Sequence, residues 1–259
     1  MSNSLIHSTA VITSGARLGD NIAIGPYAVI EDNVFIDDGC EIGPHTLIAS
    51  GARLGKNVKV HNGAVVGTVP QDLKFGGEDT LLVVGDNTVI REFATLNRGT
   101  HHRGETRVGA NCLLMAYSHV AHDCILGDNV IMSNSVNLAG HVEIGEYATL
   151  GGLVPVHQFV KIGAHAMIGG ASRVPMDILP YALYGGQPPI IMGINQIGLK
   201  RRGFAPETLA ALEKTFRILF RSKLNTTQAV ERIKSEMELI PEVQLVLDFI
   251  ANSERGISR

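Results

Sequence analysis

Every sixth residue along the first two thirds of the chain is aliphatic. Ile6, Ile12, Leu18, Ile24, Ile30, Ile36, Ile42, Ile48, Leu54, Val60 and Val66 open the series. Val84, Ile90 and Leu96 resume it, and it runs again from Val108 to Val174. Among the multiples of six up to 174, only Asp72, Glu78 and His102 break it. Four residues after each aliphatic stands a small or β-branched side chain, as at Ala28, Val34, Cys40, Thr46, Ala52, Val58 and Ala64. A helix would repeat every 3.6 residues and a flat strand every two. A period of six fits a short strand and a tight corner wound repeatedly into a parallel β-helix. Corners need residues that tolerate positive φ, and Gly15, Asn21, Asn33, Gly39, Gly51, Asn57 and Gly63 recur at one phase. The large and the small residue of each hexad then both point inward and fill a narrow prism.

This pattern resembles the hexapeptide-repeat acyltransferases. That resemblance implies a left-handed helix with three hexads per triangular coil, so that residues 18 apart stack. Twenty-six aliphatic hexads make about nine coils, roughly 40 Å tall at strand spacing. The interruptions at about 67–83 and 101–107 return in phase, which predicts loops extruded from a continuous solenoid. Long insertions on a rigid scaffold are where binding chemistry tends to sit. Hexads stop near Pro180. Pro206-Glu207 then opens a helical pattern to Arg221. Asn225 or Thr226 caps a second, from Gln228 to Leu239, and Pro241-Glu242 opens a third, from Val243 to about Ser253. The expectation is an all-β plus α chain, with a left-handed parallel β-helix over 1–190 and a small C-terminal helical domain over 191–259.

Composition sharpens this picture. Tryptophan is absent and aromatics are 5%, as a narrow prism requires. A formal charge of −3 argues against general nucleic-acid binding. No apolar run is long enough to span a membrane, and no basic-then-apolar leader is evident, so a cytoplasmic location is expected. Cys40, Cys112 and Cys124 all fall in the small inward register and read as reduced interior fillers.

Histidines concentrate outside the inward phases. Stacking by 18 predicts His101, His119 and Asn137 in one column, His122 below Gly140, and Asp123 below His141. Histidine titrates near neutrality and suits a general base. A carboxylate such as Asp123 can fix its tautomer, and the Gly140 amide can serve as an oxyanion donor. No nucleophile elbow is present, which favours direct transfer over a covalent intermediate. The rival reading is a zinc site made by His119, His122 and His141 with a vacant fourth position, as in hexapeptide carbonic anhydrases, and a third is a non-enzymatic scaffold.

Longer motifs are more specific. Gln71-Asp72-Leu73-Lys74, Asn97-Arg98-Gly99-Thr100, His119-Val120-Ala121-His122-Asp123, Leu138-Ala139-Gly140-His141-Val142, Val156-His157-Gln158-Phe159, Ile162-Gly163-Ala164-His165 and Gly198-Leu199-Lys200-Arg201-Arg202-Gly203-Phe204 together resemble the UDP-N-acetylglucosamine acyltransferases over essentially the whole chain. The resemblance implies transfer of an (R)-3-hydroxyacyl group from acyl carrier protein to the 3-hydroxyl of UDP-N-acetylglucosamine, the first step of lipid A biosynthesis. It implies no cofactor beyond the carrier-protein thioester, and a homotrimer with each site between two prisms. By motif, His122 is the general base, Asp123 its partner and Gly140 the oxyanion amide. His119, His141 and His157 surround the sugar nucleotide, and Asp72 and Lys74 contact sugar and phosphate. Gln158, Asn195, Arg201 and Arg202 lie on the nucleotide side, and Gly170 limits acyl length. Lys200, Arg201 and Arg202, with Arg221 and Lys223, form a basic surface expected to meet the acidic carrier protein. Two departures stand out: Asn97 occupies a position where family members carry histidine, and Ile197 one where they carry an acid. The first leaves open an N-acyl transfer to the 3-amino analogue of the sugar nucleotide.

Overall fold

The structure, a computed structural model, describes residues 4–186 and 188–258. Among the described residues, strands of mostly two residues follow one another at six-residue intervals and stack into three sheets, one of eleven strands and two of eight, all parallel except the last strand of the first. This is the left-handed parallel β-helix. Face I carries Leu113–Leu114, Ile131–Met132, Thr149–Leu150 and Met167–Ile168. Face II carries His119–Val120, Asn137–Leu138 and Pro155–Val156, and face III carries Ile125–Leu126, Glu143–Ile144 and Lys161–Ile162. The chain winds from I to II to III, so each face is separated from the next by a corner.

The aliphatics of the six-residue series fill the prism, with Ile30, Ile48, Leu96, Leu114 and Leu150 fully enclosed. Removing such a side chain to alanine costs about 2–5 kcal/mol. The first coil is the exception: Ile6 is 48% exposed, and Ile12 and Leu18 are only partly covered, because no described coil stacks beneath them. The small inward residues do more than save space. The Cys40, Cys112 and Cys124 thiols and the Thr46 and Thr88 hydroxyls donate to the carbonyls of Gly55, Gly127, Ala139, His61 and Gly109, answering polar backbone that the corner would leave buried. Burial pushes the thiols up to about 11, 11 and 12, leaving them protonated and unreactive.

Corner residues repeat at one phase with φ near +60°, but few of them are glycine. Tyr27, His45, Phe93, Tyr117, Asp123, His141, Tyr147, Phe159 and His165 all occupy this left-handed conformation. Gly15 stands at the same phase without it. A non-glycine residue there is unfavourable in isolation. Here the coil above and below imposes it, and the corner side chains stack in columns outside the prism.

The two insertions are whole multiples of the repeat. Away from the insertions, register partners up to Ile168 are 18 residues apart, as in Leu5↔Ala23 and Thr149↔Met167. Across the first insertion the partners are Lys59↔Val89 and across the second Thr95↔His119. A ladder of side-chain amides, Asn57 to Asn87 to Asn111, each at 3.2 Å, bridges both jumps. The loops are tighter than the sequence suggests: strands Val65–Thr68, Leu81–Val84, Thr95–Asn97 and Glu105–Val108 leave only 69–80 and 98–104 outside the ladder.

After Ile168 the chain makes a parallel strand, Ala182–Gly185, and an antiparallel return, Ile190–Ile194, which crosses residue 190 and extends face I. Among the described residues four helices follow: α1 (Gln196–Arg201), α2 (Pro206–Arg221), α3 (Thr226–Glu236) and α4 (Pro241–Ala251). The last three match the expected pattern, with Pro206 and Pro241 in the first turns and an Asn225–Gln228 capping box. Short α1, without an amphipathic repeat to announce it, was not expected. The buried Asp177 carboxylate, accepting from Lys161 N and Ser253 Oγ, fastens the C-terminal segment to the coil.

Candidate active site

The corner between faces II and III holds His122, Asp123, Gly140, His141 and Phe159. Asp123 is fully buried. Its Oδ2 lies 2.8 Å from His122 Nδ1. The carboxylate also accepts from the Thr100 amide at 3.0 Å and the Thr100 hydroxyl at 2.7 Å. Burial alone raises the pKa of this carboxyl; the hydrogen bonds from His122 and Thr100 outweigh it and hold the group below its ordinary range. An ionised carboxylate only accepts, so His122 Nδ1 carries a proton, and in the neutral ring Nε2 is left with the lone pair. A Cβ added at Gly140 would fall 2.6 Å from His122 Cε1 and 2.7 Å from Nε2, so glycine is what leaves room for the imidazole. Among the described residues the Gly140 amide has no hydrogen-bond partner.

His141 meets His122 edge-on at 5.0 Å and stacks on Phe159 at 4.4 Å. Burial pushes its pKa down. His119 hydrogen-bonds Thr95 Oγ1 through Nδ1 at 2.7 Å, and burial likewise lowers it. His101 does not join this column. The six residues inserted after Asn97 place Thr95, not His101, beneath His119, and His101 instead pairs with Glu78 in the first loop at 3.3 Å.

The three-histidine zinc arrangement is not formed. The cluster whose ligand atoms approach one another comprises His122, Asp123 and His141, without His119. Its His122–Asp123 contact is a 2.8 Å hydrogen bond, shorter than two ligands about 2.0–2.2 Å from one tetrahedral ion would stand.

The remaining expected residues are dispersed. Asp72 caps its own loop, accepting from Lys74 N at 3.0 Å, and Lys74 is exposed. The loop base is held by buried Asn97, which donates to Thr68 Oγ1 and Val69 O. Its amide donors are therefore spent on one side-chain hydroxyl and one carbonyl at the loop base. His157 and Gln158 are exposed beyond face II. Gly170 is exposed, and a Cβ there would meet only Gly152, at 3.3 Å.

Asn195 differs from the expectation. It is buried, caps α1 through Gly198 N and donates to His165 O, so both ends of its amide are committed to structure. Arg202 lays its guanidinium over Tyr147, donates to Tyr147 O at 2.9 Å, and is half-buried. Tyr147, His165 and Tyr181 stack at the corner between faces III and I, with Phe204 edge-on. Exposed Arg201 borders a groove of about 680 Å³ on face I, walled by Ile131, Thr149, Met167 and Leu183. This groove lies on the side of the triangular prism opposite the His122 corner. Thr100, His102 and Phe159 were not singled out from sequence. Thr100 and Phe159 stand inside the quoted motifs; Thr100 reaches Asp123 only through the length of the second insertion, whereas Phe159 meets His141 at the plain offset of 18.

The site can be compared with known proteins. The profile described as "Udp N-acetylglucosamine O-acyltransferase; Domain 2" matches residues 177–258, and "Bacterial transferase hexapeptide (six repeats)" matches 33–68 and 105–140. An acyl-[acyl-carrier-protein]–UDP-N-acetylglucosamine O-acyltransferase of Thermodesulfovibrio yellowstonii is 45% identical over 98% of this chain and 99% of its own. One from Thiobacillus denitrificans is 46% identical over the same shares. The crystal structure of a UDP-N-acetylglucosamine acyltransferase from Bacteroides fragilis superposes with a TM-score of 0.97 at 42% identity, covering 98% of this chain and 100% of that one. At this identity over nearly the full length of both chains, the chain belongs to the acyl-[acyl-carrier-protein]–UDP-N-acetylglucosamine O-acyltransferase family.

Proposed function

We propose that this chain transfers an (R)-3-hydroxyacyl group from acyl carrier protein to the 3-hydroxyl of UDP-N-acetylglucosamine, the first step of lipid A biosynthesis, in the cytoplasm. The observation that carries the reading is the His122–Asp123 dyad, whose Nε2 opens beside Gly140. Nε2 takes the proton of the acceptor hydroxyl as its oxygen attacks the thioester carbonyl carbon. Negative charge developing on the carbonyl oxygen is met by the Gly140 N–H. Collapse breaks the carbon–sulfur bond, and the departing sulfur recovers the proton from the His122 imidazolium. Asp123 stabilises that imidazolium and keeps Nε2 aimed. His119, His141 and His157 shape the sugar pocket, with Asp72, Lys74 and Gln158 at its edge. Arg201 and Arg202 serve the nucleotide, and Asn195 serves it indirectly, by fixing α1. The basic surface at Lys200, Arg201, Arg221 and Lys223 receives the carrier protein.

A homotrimer completes the site in this reading. His122 stands at one corner and the Arg201 groove on the opposite face, so one prism cannot close both on one ligand. A second copy laid against the corner can, and it also excludes water. Incubating the purified protein with 3-hydroxyacyl-carrier protein and UDP-N-acetylglucosamine tests the function. The expected product is the 3-O-acyl sugar nucleotide with one equivalent of free carrier thiol; thiol release without sugar acylation contradicts it.

A further inference from the structure

The second insertion is built as a clamp on the dyad. Thr100 donates both its amide and its hydroxyl to Asp123, His102 meets the edge of the His141 ring at 4.8 Å, and Arg103 reaches Glu143 at 2.7 Å. Thus three residues of one short loop grip two places on the corner and the strand that follows it. Thr100 and Asp123 are both buried, and Asp123 Oδ2 receives the Thr100 hydroxyl and His122 Nδ1 together. A buried carboxylate with a single donor per oxygen can rotate; one with three donors in fixed directions cannot. We propose that Thr100 is a positioning residue for the transfer reaction: its hydroxyl fixes the Asp123 carboxylate, and through it the tautomer and aim of His122. The inference rests on the functional reading above.

The test uses the full chain with Thr100→Val, which keeps the amide and the volume but removes the hydroxyl, and Thr100→Ser, which keeps the hydroxyl. Thr100→Val lowers kcat on the order of ten-fold, as loss of a hydrogen bond to a charged group does, with the KM values little changed. Thr100→Ser retains most of the activity. In an Asp123→Asn background, Thr100→Val costs little more, because the two act as one unit. A second readout needs no turnover. Diethyl pyrocarbonate attacks the free Nε2 of His122, and above the imidazole range its rate at His122 falls several-fold in Thr100→Val and not in Thr100→Ser. A wild-type chain that transfers no acyl group defeats the functional reading, while the modification rates still decide the role of Thr100. Thr100→Val with unchanged kcat and unchanged modification rate overturns the proposal, as does a kcat loss that persists in full beside Asp123→Asn.

Discussion

Gly140→Ala is the smallest change that tests how the site is assembled. Gly140 has no positive φ, so alanine adds no backbone strain. The new methyl would stand 2.6 Å from His122 Cε1 and 2.7 Å from Nε2, where ordinary contact is 3.4–4 Å. The ring must therefore retreat by about 1 Å. It cannot do so and keep Nδ1 at 2.8 Å from Asp123, since Thr100 holds that carboxylate still. A displacement of about 1 Å at a reacting group costs on the order of 10²-fold. Gly140→Ala is thus expected to lower kcat by about that factor, with the KM for the sugar nucleotide changing far less and the melting temperature staying near wild type. Steady-state acylation assays and thermal unfolding read both quantities. A kcat within a factor of about three of wild type would refute the reasoning, because the methyl could then coexist with a working His122.

Three further outcomes are expected. Burial lowers His165 to about 4, so between the ordinary histidine range and pH 4 the unfolded chain binds a proton that the folded chain refuses; stability therefore falls as pH drops through that window, and His165→Phe, filling the same stack between Tyr147 and Tyr181, flattens that part of a melting-temperature profile. Gly170→Met projects a side chain past Gly152 and shifts the preferred acyl donor to a shorter chain in a competition assay; unchanged preference detaches Gly170 from the acyl path. Copies carrying His122→Ala and copies carrying Arg201→Ala, each inactive alone, recover part of the activity when reassembled together, because some interfaces then pair an intact corner with an intact groove; no recovery in any mixture argues against sites shared between copies.

The coil was legible in sequence because one constraint, an aliphatic every six residues, acts on every turn. Corner glycines and asparagines were legible for the same reason. What escaped was set by the neighbouring coil. Asp123 and His141 adopt positive φ because stacking imposes it, which no local preference announces. The His101–His119 column failed for a purely geometric reason: an insertion of six residues leaves the six-residue phase intact while moving the stacking partner from 18 to 24 residues away. Phase is visible in a sequence and offset is not. The dyad itself was legible because His122 and Asp123 are adjacent in the chain, and Gly140 because it stacks on His122 at the plain offset of 18. Asn195 was placed on the nucleotide side by the resemblance alone; its cap on α1 was not legible because it depends on a helix too short to show a pattern.

The most direct measurement of the central claim is the turnover of His122→Ala. A sugar hydroxyl is far too weak an acid to attack as the anion at neutral pH, and a positioned base contributes about 10²–10⁴-fold. His122 is 14% exposed at a corner outside the prism, so its removal leaves the aliphatic core untouched. The account predicts a kcat lower by that factor, on a chain that still folds and still binds UDP-N-acetylglucosamine. A folded His122→Ala chain that acylates the sugar nucleotide at near wild-type kcat contradicts it.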